Sequence, residues 1–60
     1  MRIETLKGIV KEGTRVKVTT NNHSYEGTIS YMDDAVIVNT ADGKVVIVAS
    51  AVKELTVLGE

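Results

Sequence analysis

The chain has 60 residues, with seven Lys and Arg residues against eight Asp and Glu residues, and its formal net charge is −1. This length allows one domain, residues 1–60. A domain so small buries only about 60% of the surface that its unfolded chain exposes, so we expect self-association to support it. The absence of Cys and the single His exclude disulfides and argue against a structural zinc site, and the balanced charge excludes a dominant basic field.

Residues 2–11 have the pattern of a short helix. Ile3, Leu6 and Val10 recur at spacings of three and four, which puts them on one helical face. Gly8 costs about 1 kcal/mol relative to Ala inside a helix. An irregular lead-in to the first strand therefore remains the alternative to a helix.

The rest of the chain has the pattern of five short β-strands. Ten Val, five Ile and seven Thr residues supply stiff, β-branched side chains that suit a pleated surface. Gly27 inside the second strand predicts a bulge or a sharp bend. Asp42 and Gly43 predict a two-residue hairpin turn, because a type I′ turn needs positive φ at both central residues. The predicted strands are residues 14–20, 25–32, 35–40, 44–49 and 52–58.

Five strands joined by such short connections favour a small closed barrel over an open sheet. We therefore expect a mostly β fold, in which residues 14–58 form a small, strongly bent, five-stranded antiparallel barrel. A short helix over residues 2–11 precedes this barrel. The chain has no linker, repeat or low-complexity tract.

Two apolar runs, residues 36–38 and 45–49, do not alternate with polar residues. In a strand with one solvent-exposed face, apolar and polar residues alternate. Both faces of these two strands are therefore expected to be covered. One barrel covers one face, and the second is covered by the N-terminal helix or by another subunit. We favour another subunit, because pairing of edge strands around a ring also removes an exposed apolar edge. The predicted subunit-interface residues are Val45, Val46, Ile47 and Val48.

Several short patterns resemble the Sm-like (LSm/Hfq-like) protein family. The segment from Gly27 to Asp33 is similar to the family's pattern of Gly, hydrophobic, aromatic or aliphatic, then Asp. The segment from Gly13 to Val18 resembles its first strand, and Asn22-His23-Ser24-Tyr25-Glu26-Gly27 resembles a family turn with His in place of a usual Gly. The resemblance spans residues 3–58. It implies an Sm-like or SH3-like barrel and a homo-oligomeric ring of about five to seven subunits.

The positions with which the family contacts RNA bases carry different residues here. Ile37 stands where the archaeal and eukaryotic family has its base-contacting Asn, and Ala49 and Ser50 stand where it has Arg-Gly. Ala35 stands where Hfq has an aromatic residue that stacks on the base. Asp33 matches the family, and the resemblance implies that it orients its loop. The resemblance thus implies the scaffold and an RNA-binding or RNA-chaperone role, with the usual uridine pocket replaced.

Other residues are therefore the candidates for RNA binding. An outward-facing Tyr31 could stack on a base, which is worth about 1–3 kcal/mol. Arg15, Lys17 and Lys44 could form a basic rim that is repeated around a ring. His23 in a polar turn could contact phosphate. The structural alternative is that Tyr31 packs in the barrel and that the three basic residues lie on an ordinary solvated strand face. His23 would then be a solvated turn residue.

The sequence does not predict an enzyme, a cofactor or a metal site. The serines lack a neighbouring base, and adjacent carboxylates such as Asp33 and Asp34 point apart on a turn. No apolar run reaches the ~18–20 residues that span a bilayer, and residues 1–11 lack the apolar core of a signal peptide, so we expect a cytoplasmic protein. The expected function is binding of single-stranded RNA by a homo-oligomeric ring. The alternative is a structural or protein-interaction ring, or an SH3-like adaptor barrel, that binds no nucleic acid.

Overall fold

The computed structural model describes residues 2–59, which form one helix and a single five-stranded antiparallel sheet. The expected mostly β fold with a short N-terminal helix is confirmed. The sheet order is β4-β3-β2-β1-β5. The elements are α1 Ile3–Ile9, β1 Arg15–Thr19, β2 Ser24–Met32, β3 Ala35–Thr40, β4 Gly43–Val48, the 3₁₀ turn Ala49–Ala51 and β5 Glu54–Gly59.

The sheet is open, which corrects the expectation of a closed and strongly bent barrel. Among residues 2–59, β4 pairs with β3 alone and β5 pairs with β1 alone, so these two strands are the edges. The segment between them, residues 49–53, is held at both ends by backbone hydrogen bonds. The Ala49 N–H donates to Asp34 O (3.0 Å) and the Lys53 N–H donates to Thr19 O (2.8 Å).

The core lies between α1 and the inner face of the sheet. Leu6 and Val10 are buried, as their helical spacing predicted. Alternate residues of the strands point to the same core, because successive side chains of a strand point to opposite faces. The buried hydrophobic residues are Leu6, Val10, Val16, Val18, Ile29, Val36, Val38, Ile47, Ala49 and Val52.

The helix is shorter than the pattern over residues 2–11 predicted. Val10 has extended backbone (φ −120°, ψ 122°) and its N–H donates to Leu6 O at 2.8 Å, which closes the last turn. Val10 is thereby directed into the core instead of continuing the helix. Gly13, in the turn that follows, has a φ of 90°.

The β3–β4 hairpin forms, but its turn lies one residue earlier than predicted. Thr40 pairs with Gly43, so the central turn residues are Ala41 and Asp42. The Thr40 hydroxyl donates to Gly43 O (2.7 Å) and accepts from the Asp42 N–H (3.2 Å). Gly43, with a φ of 139°, begins β4. The threonine hydroxyl, rather than a type I′ Asp-Gly pair, closes this turn.

Gly27 permits a close approach between backbones. It pairs in regular register with Val16, and the bulge of the sheet lies instead in the β1–β5 ladder beside Arg15. A Cβ at position 27 would overlap the Asn39 carbonyl group, with the carbonyl carbon 2.7 Å away. A side chain of any size would therefore push β3 away from β2.

Candidate assembly and RNA-binding surfaces

The outer face of the sheet, opposite α1, carries a polar row across four strands. Cross-strand pairing aligns Lys44, Asn39, Thr28 and Arg15. The Asn39 side-chain amide donates to Thr28 O (3.2 Å) and lies 3.4 Å from the Ser30 hydroxyl, which fixes the middle of the row. The strand spacing of about 4.8 Å puts the two cationic residues about 14 Å apart along the sheet. The row therefore offers two separated cations with hydrogen-bonding groups between them.

The three basic residues proposed from the sequence share this outer face. Arg15, Lys17 and Lys44 are all exposed. Lys17 lies directly opposite Glu26 in the β1–β2 ladder, so its charge is partly offset by a neighbouring carboxylate. Arg15 and Lys44 thus remain the stronger candidates for contact with a polyanion.

Tyr31 faces the helix, which corrects the expectation of an outward-facing aromatic ring. Its hydroxyl donates towards the carbonyls at the end of α1, at 2.6 Å from Val10 O and 3.1 Å from Leu6 O. Its backbone N–H donates to the Glu12 carboxylate at 3.1 Å. Burial, and secondly the negative charge of Glu12, raise the Tyr31 pKa above its ordinary value. The Tyr31 side chain therefore connects the helix to the sheet and does not lie on the outer face.

Met32 faces outward in place of Tyr31, as the alternation of side chains along β2 requires. The sequence showed that these two neighbours lie on opposite faces, but not which one is buried. The Tyr31 hydroxyl lies near two helix carbonyls, and this tertiary contact leaves no local pattern in the sequence.

His23 lies apart from the basic row. It is exposed in the β1–β2 loop, with its ring 6.1 Å from that of Tyr25. Thr20 organises this loop, since its N–H donates to His23 O (2.8 Å) and its hydroxyl accepts from the His23 N–H (3.3 Å). Arg15 begins β1 whereas this loop follows the end of β1, so the structure does not bring His23 and Arg15 together.

Asp33 lies at the turn between β2 and β3. It is exposed, and its φ of 55° is in the left-handed region that Asp tolerates better than most residues. Within residues 2–59, no group of three or more His, Cys, Asp or Glu side chains could hold a metal ion. The same part of the chain contains no helix long and apolar enough to cross a membrane. A cytoplasmic location stays a prediction.

The predicted interface residues of β4 divide between the two faces of the strand. Val46 and Val48 are exposed, at 60% and 54%, whereas Ile47 is 7% exposed and lies in the chain's own core. Val45 is half-buried and packs against that core. The outward-facing residues are thus Val46 and Val48. The unbroken apolar run in the sequence could not show which residues of β4 face outward.

A groove follows the free edge of β4. Its volume is about 360 Å³, and its lining includes four consecutive residues, 45–48, whose side chains alternate between the two faces of β4. Asn21, Asn22, Tyr25 and Ala51 also line it. At the opposite edge of the sheet, β5 exposes Val57 and Leu58. Both edges of the sheet therefore carry exposed apolar side chains beside unpaired backbone.

Comparisons of this chain with family models, with curated proteins and with solved structures gave no match. Membership of the Sm-like family stays a prediction that depends on the sequence patterns described above.

Proposed function

We propose that this chain is the subunit of an Sm-like homo-oligomeric ring, in which the β4 edge of each copy pairs with the β5 edge of the next. Each edge is a six-residue strand with unpaired backbone on one side. Because the two edges are different surfaces, their pairing is head to tail, and such a contact closes into a ring when the rotation between copies allows it. The resemblance to the Sm-like family implies that about five to seven copies complete the ring.

The groove along β4 is the observation that carries this proposal. A strand added beside β4 would hydrogen-bond to its free backbone groups, as in β-strand addition. The lining includes residues whose side chains point to opposite faces of β4. We therefore infer that the groove runs along the backbone edge of the strand and not along one of its faces. The exposed Val57 of the next copy would gain apolar contact there, and burying a Val side chain is worth about 1.5–3 kcal/mol.

The solution mass tests the ring. Light scattering coupled to size exclusion should give about five to seven chains for the unmodified protein. Val46→Lys and Val57→Lys, one at each edge, should lower this mass while leaving the circular dichroism spectrum unchanged, because both side chains are exposed in the single chain. Ile9→Lys is the matched control, since Ile9 is an exposed apolar residue of α1. A mass of one chain for the unmodified protein, or an unchanged mass for both edge variants, would contradict the proposal.

For the ligand of the ring we propose single-stranded RNA, bound on the outer face. Arg15 and Lys44 support this choice, because they lie in one row with hydrogen-bonding groups between them. A ring repeats this row in every subunit, so weak contacts add up to avid binding. The alternative is a structural or protein-interaction ring, which is supported by the inward orientation of Tyr31 and by the carboxylate opposite Lys17.

Fluorescence anisotropy with labelled single-stranded RNA separates the two candidates. If RNA binds, the logarithm of the affinity should fall linearly with the logarithm of salt concentration, because phosphate contacts release counterions. Arg15→Ala and Lys44→Ala should both weaken binding, whereas Lys11→Ala, which lies outside the sheet, should not. Absence of binding even at low salt would contradict the RNA proposal and favour the protein-interaction ring.

A further inference from the structure

The β3–β4 hairpin contains the single Asp-Gly pair of the chain. None of the other four glycines follows an Asp or an Asn. Asp42 is a central residue of the turn and Gly43 is the first residue of β4, and both are exposed. In the described part of the chain, the Asp42 carboxylate takes part in no hydrogen bond or ion pair. Its carboxyl group is therefore free to approach the backbone that follows it.

The backbone conformation makes glycine the required residue at position 43. Its φ of 139° lies in a region that residues with side chains rarely adopt. A Cβ built there would meet no atom within 4 Å, so the conformation and not a lack of space selects glycine. The Asp42 carboxyl group is thus followed by a backbone nitrogen that no side chain of its own residue shields.

We propose that Asp42 and Gly43 form a site of spontaneous isomerisation to isoaspartate. The Gly43 nitrogen attacks Cγ of Asp42, and the carboxyl hydroxyl leaves with the amide proton as one water. The product is a cyclic imide. Water then adds to the backbone carbonyl carbon of Asp42 and breaks its bond to the Gly43 nitrogen, so the main chain continues through Cγ. The reaction consumes one water and releases one, and it needs no oxidant or reductant.

The other candidate residues are less suited to this reaction. Asp33 and Asp34 are each followed by a residue with a side chain, which crowds the attacking nitrogen. The Asn39 side chain is held in the sheet, because its amide donates to Thr28 O at 3.2 Å. The hairpin turn is therefore the place where isomerisation should appear first.

Isomerisation lengthens the main chain of the turn by one atom. The Thr40 hydroxyl bonds on both sides of the changed link, since it accepts from the Asp42 N–H (3.2 Å) and donates to Gly43 O (2.7 Å). An inserted atom changes the spacing of these two groups, so we expect the Thr40–Gly43 end of the β3–β4 ladder to open. Weaker assembly through the β4 edge is a further consequence, and it rests on the proposed ring, whereas the chemical site does not.

Peptide mapping by mass spectrometry of the protein aged in neutral buffer tests the site. Cleavage after Lys17 and Lys44 gives one peptide, residues 18–44, that contains Asp33, Asp34 and Asp42. It should separate into two forms of equal mass, with an intermediate lighter by one water, and fragmentation should locate the change at residue 42. Asp42→Glu is the matched control, because it keeps the charge but must close a larger ring, and it should give no second form. An unchanged peptide, or isomerisation at residue 33 or 34 first, overturns the proposal.

The purified isoaspartyl form tests the structural consequence. It should melt about 4–8 °C lower, the shift expected for the loss of about one hydrogen bond in a domain of this size, with faster amide exchange in the β3–β4 hairpin. An unchanged melting temperature overturns the opening of the ladder. The mass in light scattering should fall with ageing in the unmodified protein and not in Asp42→Glu. A mass of one chain before ageing overturns the ring and its weakening, while the peptide map still decides the chemical site.

Discussion

The hydroxyl of Tyr31 joins the end of the helix to the sheet, and Tyr31→Phe removes this link alone. The aromatic ring of residue 31 remains and keeps its packing. The carbonyl oxygens of Leu6 and Val10, which lie 3.1 Å and 2.6 Å from the hydroxyl, lose a hydrogen-bond donor. A hydrogen bond of this kind contributes about 0.5–1.5 kcal/mol, and an acceptor left unsatisfied in a partly buried site adds to the loss. We therefore expect a loss of about 1–2 kcal/mol in the free energy of unfolding.

Thermal and urea unfolding at matched protein concentration measure this loss. In a domain of this size, each 1 kcal/mol shifts the melting temperature by about 4–8 °C, so Tyr31→Phe should melt about 4–16 °C lower. Tyr25→Phe is the control: Tyr25 is the other tyrosine, is half-buried and lies next to exposed His23. The amides of α1 should also exchange faster in Tyr31→Phe. Equal melting temperatures for Tyr31→Phe and the unmodified protein would refute the assigned role of the hydroxyl.

Three further predictions follow from the core and the backbone. Because burial and Glu12 raise the Tyr31 pKa above 10.0, the neutral hydroxyl stabilises the fold below that pH, and its contribution is lost as pH rises through the higher folded value. The stability difference between the unmodified protein and Tyr31→Phe should thus shrink in urea titrations above about pH 10, and a constant difference would contradict this. Gly27→Ala should cost more than about 2 kcal/mol through overlap with the Asn39 carbonyl, whereas Gly8→Ala, with open space in the helix, should gain about 0.5–1 kcal/mol. Leu6→Ala should cost about 2–5 kcal/mol in the same unfolding assay, since Leu6 is 1% exposed, and a smaller loss would show that α1 does not seal the core.

Local pattern predicted most of the elements. Alternation correctly placed Val16 and Val18 on one face of the first strand. The spacing of Leu6 and Val10 correctly predicted that both are buried, although Val10 lies just beyond the end of the helix. Such patterns arise because the direction of side chains repeats every two residues in a strand and about every 3.6 residues in a helix, and burial follows this repeat. The predicted strand of residues 35–40 has the bounds observed for β3.

The errors concern features that depend on contacts distant in the chain. Tyr31 faces the core with its hydroxyl near helix carbonyls more than twenty residues away, whereas the adjacent Met32 faces outward. The open sheet depends on a pairing between distant segments, because β5 pairs with β1 and not with β4. The unbroken apolar run hid which side chains of β4 face the core, because apolar β-branched residues occupy both the buried and the exposed positions of this strand.

The β1–β5 ladder has a consequence for the order of folding. The other three ladders join strands that follow each other in the chain, whereas this one joins Arg15 to Gly59. Closing a longer loop costs more entropy, so we expect β5 to dock after the local hairpins have formed. In the ring that we propose, β5 is also one of the two edges that join subunits. A chain that has not finished folding therefore lacks one joining edge, and the assembly admits only completed subunits.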